Sequence, residues 1–513
     1  MLGDQSATFS LENVIRAHGV GVRGLDVPRR SEQFEGRFGR MFRSLPAADH
    51  EKVDLIALAD CMTAEREDPP TPETELDAEE NRGIAAGYTY FGQFIDHDIT
   101  FDPASSLQKT NDPDGLVDFR TPRFDLDSVY GRGPDDQPYL YEKDGIHLLL
   151  GTRKLTGNDD DPDTVDLPRD TRASGDRRAI IGDPRNDENA IVSQLHGIFL
   201  RFHNRVADLL GSDAKFPDVQ RVVRWHYQWA VLHDFLPTIA GWDMVRSVLP
   251  HLRPDGDDKS PYDKKPDLRF FHWRDAPFMP LEFAVAAYRF GHSMVRPQYR
   301  LNLTLDDRFD IFPDLRGFHE VDETRAIDWS LFFHLHAGSG NTGKNRVQPA
   351  YKIDASLVDP LRNLPFITDG VPSLAQRNLL RGLSFNLPSG QTVARHMCEE
   401  VIPDDQLRCG KLTKEDIENN PVISVRWPAF KDNAPLWFYI LAEPIRQFDD
   451  DDTPITLGPV GGRIVTEVIA GLILGDNHSY LAQQPCWRPI DEFRRHGHFG
   501  IAELILVATG KLP

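Results

Sequence analysis

Between Tyr88 and Asp102 an aromatic and apolar run encloses four residues able to do chemistry: Gln93, Asp96, His97 and Asp98. A carboxylate in such surroundings demands a partner, because an unpaired buried charge costs many kcal/mol. On a helix, Asp96, His97 and Asp98 point about 100° apart and meet different partners, while Gln93 and His97, four apart, share a face. This pattern suits a cofactor pocket with a metal site behind it; the alternative is a satisfied core histidine between two capped acids. Further along, Arg185 and Glu188 lie three apart at a helix start, as a site pair or as an exposed ion pair among capping acids. Arg289 and His292, also three apart, sit in the strongly apolar segment 281–295. Burying that cation and imidazole together calls for an anion and an electrophile nearby, unless the arginine merely snorkels beside a core histidine. Thr121, Asp125 and Asp127 offer hard oxygen donors of the kind that bind Ca²⁺, or form a solvated acidic turn. Asn378, in the segment 374–388, reads by itself as a helix-surface amide.

Taken together, these segments resemble the motifs of the peroxidase–cyclooxygenase superfamily, the animal-type haem peroxidases, and follow the family's chain order. Gly92-Gln-Phe-Ile-Asp-His-Asp98 is similar to the distal-histidine helix, and Arg185 with Glu188 to the catalytic-arginine helix. Arg289-Phe-Gly-His292 is similar to the proximal-ligand motif, and 121–131 to the calcium loop. The resemblance implies haem b with His292 as proximal iron ligand. Asn378 would accept the ligand's Nδ1–H, setting its tautomer and donor strength. Arg289 and Arg381 would stand on the propionate side. His97 would be the acid–base catalyst, Arg185 the stabiliser of developing charge, and Gln93 the residue orienting distal water and halide. Asp96 and Glu188 occupy the positions of ester links to haem methyl groups. Calcium would be held by Thr121, the main-chain carbonyl of Arg123, Asp125, Asp127 and Asp98. Asp127 departs from the family, which often has Ser there. Asn189, directly after Glu188, stands where a chloride-oxidising relative has a methionine whose sulfur bonds a haem vinyl group.

Positioning such a set requires helices. Apolar periodicity of about 3.6 predicts them over 85–99, 188–210, 220–239, 281–295, 374–383 and 461–474, with Pro and Gly near several ends. Stretches 64–82, 157–178 and 253–265 are rich in Asp, Pro and Gly and read as surface loops. At 513 residues the chain exceeds the usual size of one domain, yet no linker, repeat or low-complexity tract divides it. The expected fold is mainly α: an N-terminal arm over 1–50 and one large helical haem-peroxidase domain over 51–513, with long loops and little β. The segment 458–465 also looks family-like without carrying assignable chemistry.

A balance of 58 basic against 80 acidic residues, net −22, disfavours nucleic acid and anionic membranes as partners. Four cysteines form neither a disulfide framework nor a metal-ligand pattern, which fits a reducing compartment. No signal peptide is visible, and no apolar run approaches the roughly 20 residues of a membrane span. The expectation is a soluble protein, cytoplasmic or exported without a visible signal, of bacterial type. The resemblance implies a peroxidase that reduces hydrogen peroxide through a ferryl intermediate and oxidises small donors such as iodide, thiocyanate, bromide and phenols. A fatty-acid dioxygenase of the same superfamily is the first alternative. Its members carry a radical-forming tyrosine three residues before the proximal histidine, where this chain has Arg289; the nearest tyrosine is Tyr288. A catalytically idle haem-domain adhesion protein is the second.

Overall fold

A computed structural model describes residues 36–67, 69–101, 117–170, 177–254, 264–272, 274, 277–336, 340–367 and 369–513. Most of the expected N-terminal arm, residues 1–35, and parts of the loops 157–178 and 253–265 lie outside these. The fold is mainly α. Its principal helices are α1 (Lys52–Cys61), α2 (Gly87–Ile99), α3 (Ala190–Leu210), α4 (Phe216–Ala230), α5 (Leu374–Ser384), α6 (Pro459–Gly475) and α7 (Ile501–Ala508). Strands are short. β1 (Gly36–Gly39) pairs antiparallel with β3 (Val117–Asp118) and parallel with β4 (Met279–Pro280). β2 (Glu80–Ala85) pairs antiparallel with β7 (Pro349–Tyr351), and β5 (Gln298–Tyr299) with β6 (Phe309–Asp310).

One continuous hydrophobic core runs from Phe38 to Ala508. At its centre α2 lies against α3, where Phe94 stacks on Phe199 with centroids 4.2 Å apart and an interplanar angle of 14°. Such a contact contributes about 0.5–1.5 kcal/mol beyond burial. Phe91 packs edge-on to Phe235 at 5.6 Å, tying α2 to the continuation of α4. Helix α2 can start directly after β2 only because residue 87 is glycine: a Cβ there would lie 2.3 Å from the Phe333 ring.

The segment 281–295 differs from the single α-helix that its periodicity predicts. It opens as a π turn, Glu282–Ala286, and tightens into a 3-10 turn, Ala287–His292. The change occurs at Ala286, whose φ and ψ are −129° and −71°. Side chains hold it in place. Arg289 Nε donates to the Ala284 carbonyl at 2.9 Å, and the fully buried Glu282 accepts from Met41 N at 2.9 Å and Phe42 N at 3.2 Å. At three residues per turn, Arg289 and His292 then share one face. Helix 220–239 is likewise interrupted by a π turn, Val231–Phe235, before Leu236–Ala240.

Buried ions join the elements on either side of the site. Glu80, at the start of β2, accepts from Arg296 Nη1 at 2.7 Å and from Arg346 Nη1 at 2.6 Å. Arg296 follows His292 by four residues, and β2 leads into α2. In α6, Glu467 accepts main-chain N–H bonds from Arg269, Phe270 and Phe271 at 2.8–3.0 Å, so an ionic residue sits in a nearly all-apolar helix at little cost.

Candidate active site

A cavity of about 340 Å³ separates α2 from the 3-10 turn. Gln93, Asp96 and His97 of α2 and Thr100 at its end line it together with Glu188, and so do Tyr288, Arg289, Gly291 and His292. An apolar wall of Ile311, Phe312, Leu361, Leu364, Phe366 and Ile367 completes it.

His97 is the best defined of these groups. Its Nδ1 lies 2.8 Å from Asn186 Oδ1, and Asn186 Nδ2 lies 3.0 Å from His196 Nδ1. Asn186 and His196 are fully buried. The amide therefore accepts from His97 Nδ1–H and donates to His196, which leaves His97 Nε2 bare. Burial and the Arg185 charge push the His97 imidazolium down to about 3, so the ring is neutral at ordinary pH. Glu188 Oε1 lies 3.8 Å from His97 Nε2 and accepts a bond from Gln93 Nε2. Gln93 Oε1 in turn accepts from Asn189 Nδ2 at 3.2 Å. Burial lifts the Glu188 carboxyl to about 7 and raises that of Asp96. Asn189 also caps α3, accepting from Ile191 N and Val192 N.

Arg185 does not line the cavity itself. Asp183, two residues earlier and fully buried, caps the 3-10 turn Pro184–Asp187 and takes the guanidinium at 2.8–3.2 Å. Arg185 Nη2 also donates to the His97 carbonyl at 3.0 Å, and the guanidinium stacks on Phe101 at 4.5 Å. Its charge still reaches the pocket and lowers the proton affinity of His97, Asp96 and Glu188.

On the other side, Asn378 does approach His292, at 2.7 Å from Nδ1. The facing atom is Nδ2, however, not the accepting oxygen that the sequence predicts. The oxygen accepts from Arg289 Nη1 at 2.6 Å. Burial and the Arg289 charge push His292 down to about 3. Arg381 is also off the cavity wall; one turn earlier, Arg377 is on it. Arg377 donates to the Val371 carbonyl at 3.3 Å, no carboxylate among the described residues pairs with it, and burial lowers its pKa.

Behind α2, carboxylate oxygens of Asp98, Asp125 and Asp127 lie within 4.8 Å of one another. Leu126 adopts a left-handed φ of 59° between the two loop acids, an uncommon conformation for a branched residue. Thr121 Oγ1 donates to Asp125 Oδ2 at 2.8 Å, and Asp98 accepts from Leu126 N at 3.2 Å and Ser128 Oγ at 3.5 Å. Arg123 Nε and Arg120 Nε lie 3.5 Å from Asp125 and Asp127. Burial and mutual repulsion push Asp98 up to about 8 and raise Asp127 strongly, and Asp127 Oδ1 is buried with no hydrogen-bond partner. An oxygen-only, anionic and under-satisfied cluster of this kind fits a hard cation.

The cavity fits haem by its donor set. It combines a neutral imidazole at His292, a wide apolar wall, half-buried carboxyls at Asp96 and Glu188 and, among the described residues, a guanidinium at Arg377 without an anion. Sequence reasoning missed Asp183, Asn186, His196, Ser128 and Arg377. Only Asp183 left a trace, as an acid in capping position before Pro184 and Arg185.

Among known families, the animal haem peroxidase family matches residues 106–316. Human thyroid peroxidase is 27% identical over 233 residues, 43% of this chain and 22% of that protein. Human eosinophil peroxidase is 24% identical over 279 residues, covering 52% and 35%. The chain thus spans about a third or less of the length of these relatives. Among solved structures, Peroxidase A from Dictyostelium discoideum superposes with a TM-score of 0.58 at 16% identity, over 87% of this chain and 89% of that one. A fatty acid alpha-dioxygenase of Arabidopsis thaliana gives 0.57 at 15%, over 86% and 74%. The chain is thus similar to the animal haem peroxidases over residues 106–316, and its overall fold is that of these solved structures.

Proposed function

We propose that the chain is a haem peroxidase that reduces hydrogen peroxide and oxidises small donors. The observation carrying this reading is that His97, with a bare Nε2, and His292 line one cavity. Haem, held by His292, would supply the redox-active iron at which peroxide is reduced. His97 Nε2 takes the proton of the incoming peroxide and returns it to the departing oxygen. The Asn186–His196 relay keeps Nδ1 protonated, so that Nε2 is the atom available. Arg185, anchored by Asp183, contributes positive potential that stabilises the charge developed during cleavage. Gln93, held by Glu188 and Asn189, orients water or halide beside His97. Asp96 and Glu188 are the candidates for ester links to haem, and Arg377 replaces Arg381 as the candidate partner of a haem carboxylate. Asp98, Asp125, Asp127 and Thr121, with the Arg123 carbonyl, would bind Ca²⁺ and hold α2 in register through the residue next to His97.

Iodide, thiocyanate, bromide and phenols are the expected donors. A fatty-acid dioxygenase is the second reading, favoured by Tyr288 on the cavity wall, although its hydroxyl donates to the Gly92 carbonyl at 3.3 Å. Oxygen consumption with palmitate would support that reading. The decisive test pairs His292→Ala, expected to lose haem and the Soret band, with His97→Ala, expected to keep haem but react with peroxide at least about 10²-fold more slowly. Full turnover in either variant would refute the assignment.

A further inference from the structure

The first half of α4 carries Gln220, Arg221 and Arg224, which follow Phe216 and Pro217 at helical spacing and fall on one side of the helix. That side lines a second cavity of about 450 Å³, larger than the one between α2 and the 3-10 turn. Arg123 and Arg132 line it from the chain on either side of the short helix Asp127–Tyr130, and Gln483 from the C-terminal part. Four guanidiniums in one cavity run against the trend of a chain with net charge −22. Two acids, Asp125 and Asp127, also reach it, but each already faces a cation. Arg123 Nε lies 3.5 Å from Asp125, and Arg120 Nε lies 3.5 Å from Asp127. Arg132 and Arg221 pair with solvent-accessible acids, Asp136 at 4.0 Å and Asp218 at 3.2 Å. Such surface pairs contribute about 0–1 kcal/mol, so a ligand displaces them at little cost. Arg224 differs. It is half-buried, its Nε is buried without a hydrogen-bond partner, and no carboxylate among the described residues pairs with it. A buried donor left so costs about 1–3 kcal/mol, which an anion entering the cavity would remove.

We propose that this cavity binds the phosphate group of a small phosphate ester, with Arg224 as its anchor and Arg123, Arg132 and Arg221 around it. Guanidiniums recognise carboxylate and phosphate through paired N–H donors. A carboxylate offers two oxygens in one plane, whereas a phosphate spreads its oxygens over a tetrahedron. The donors here come from a loop, a helix and the C-terminal chain, so they engage a tetrahedral anion from several sides. The cavity volume is that of a small-molecule site rather than of an ion alone. Phe216, half-buried, and Pro217, exposed, supply apolar surface for the organic part of the ester.

The test is calorimetric titration of the purified full chain with inorganic phosphate and, separately, with acetate, at constant ionic strength. One phosphate per chain should bind, at least about tenfold tighter than acetate. Arg224→Gln should weaken phosphate at least about tenfold. Arg395→Gln, at an exposed arginine outside the cavity, should leave it unchanged. Phenylglyoxal gives a readout on the unsubstituted chain: inorganic phosphate should protect the peptide containing Arg224 from modification and leave that containing Arg395 unprotected. Acetate binding as tightly as phosphate would overturn the class of ligand. Unchanged phosphate affinity in Arg224→Gln, or equal labelling of the Arg224 peptide with and without phosphate, would overturn the site. Binding that Arg224→Gln spares and a chelator abolishes would assign the anion to a cation at Asp125 and Asp127, and would overturn the arginine site as well. Protection is measured without any substitution, so a folding defect in the variant cannot mimic that result.

Discussion

Replacing Asn186 by Asp tests the relay that gives His97 its protonation state. In the native arrangement Nδ1 donates to a neutral amide at 2.8 Å, and the imidazolium is pushed down to about 3. A carboxylate in the same position would face a nascent imidazolium at hydrogen-bond distance. Opposite charge at that range shifts a pKa by about 1–3 units, or about 1.4–4 kcal/mol, moving His97 to roughly pH 4–6. The relay itself survives, because His196 Nε2 has no partner and the ring can change tautomer to donate from Nδ1 to the new acid. Protonated His97 cannot accept a proton, so a raised pKa shifts the loss of activity to higher pH. Stopped-flow rates of reaction with peroxide should be nearly flat from about pH 4.5 to 8 in the native protein. In Asn186→Asp they should fall about tenfold per unit below the new pKa. Asn186→Ala should instead slow the reaction about tenfold at every pH, since an unsatisfied Nδ1–H costs about 1–3 kcal/mol and frees the ring. An acid limb unmoved by Asn186→Asp would refute the pairing of Asn186 with His97 Nδ1.

After peroxide treatment, part of the haem should resist acid–acetone extraction, and the double variant Asp96→Ala, Glu188→Ala should release all of it; complete extraction from the native protein would show the carboxyls unlinked. One Ca²⁺ per chain is expected at Asp98, Asp125 and Asp127. Because Asp98 holds its proton up to about 8 without a cation, the ion must displace that proton, so affinity should rise from pH 6 to 8 and level above it. Calcium titrations with the same affinity at both ends of that range would count against the cluster. Asn189 has no sulfur to form a charged link to haem, so halogenation assays from about pH 5 to 7 should show bromide turnover well above chloride; equal rates would mean another source of oxidising power.

Much of this site was legible because its chemistry is local. Gln93 and His97 one turn apart, and Arg289 with His292, reveal themselves by spacing within one element. The acids of the candidate cation site did so as well, since Asp125 and Asp127 are near neighbours and Asp98 adjoins His97. What stayed hidden depends on pairings between distant segments. Asn186 is an ordinary residue until folding brings it under His97, and the buried Asp183 diverts Arg185 from the cavity wall. The choice of Arg377 over Arg381 depends on the rotation of α5 about its axis, which periodicity leaves open among its buried and half-buried faces. The π turn at Glu282–Ala286 was invisible for a similar reason: it is held by the remote main chain of Met41 and Phe42.

That last contact changes what a shortened protein would mean. Glu282 lies in the same turn sequence as His292, and its two oxygens take their donors from residues 41 and 42. A polypeptide starting at residue 51, where composition alone draws the boundary, would lack both of these donors to a carboxylate that is fully buried in the longer chain. The turn could relieve that only by unwinding or by drawing in solvent, and either response would shift the proximal imidazole. Trimming the amino-terminal strand is therefore an active-site mutation by another route, and expression boundaries chosen for convenience would be read out in the spectrum of the haem.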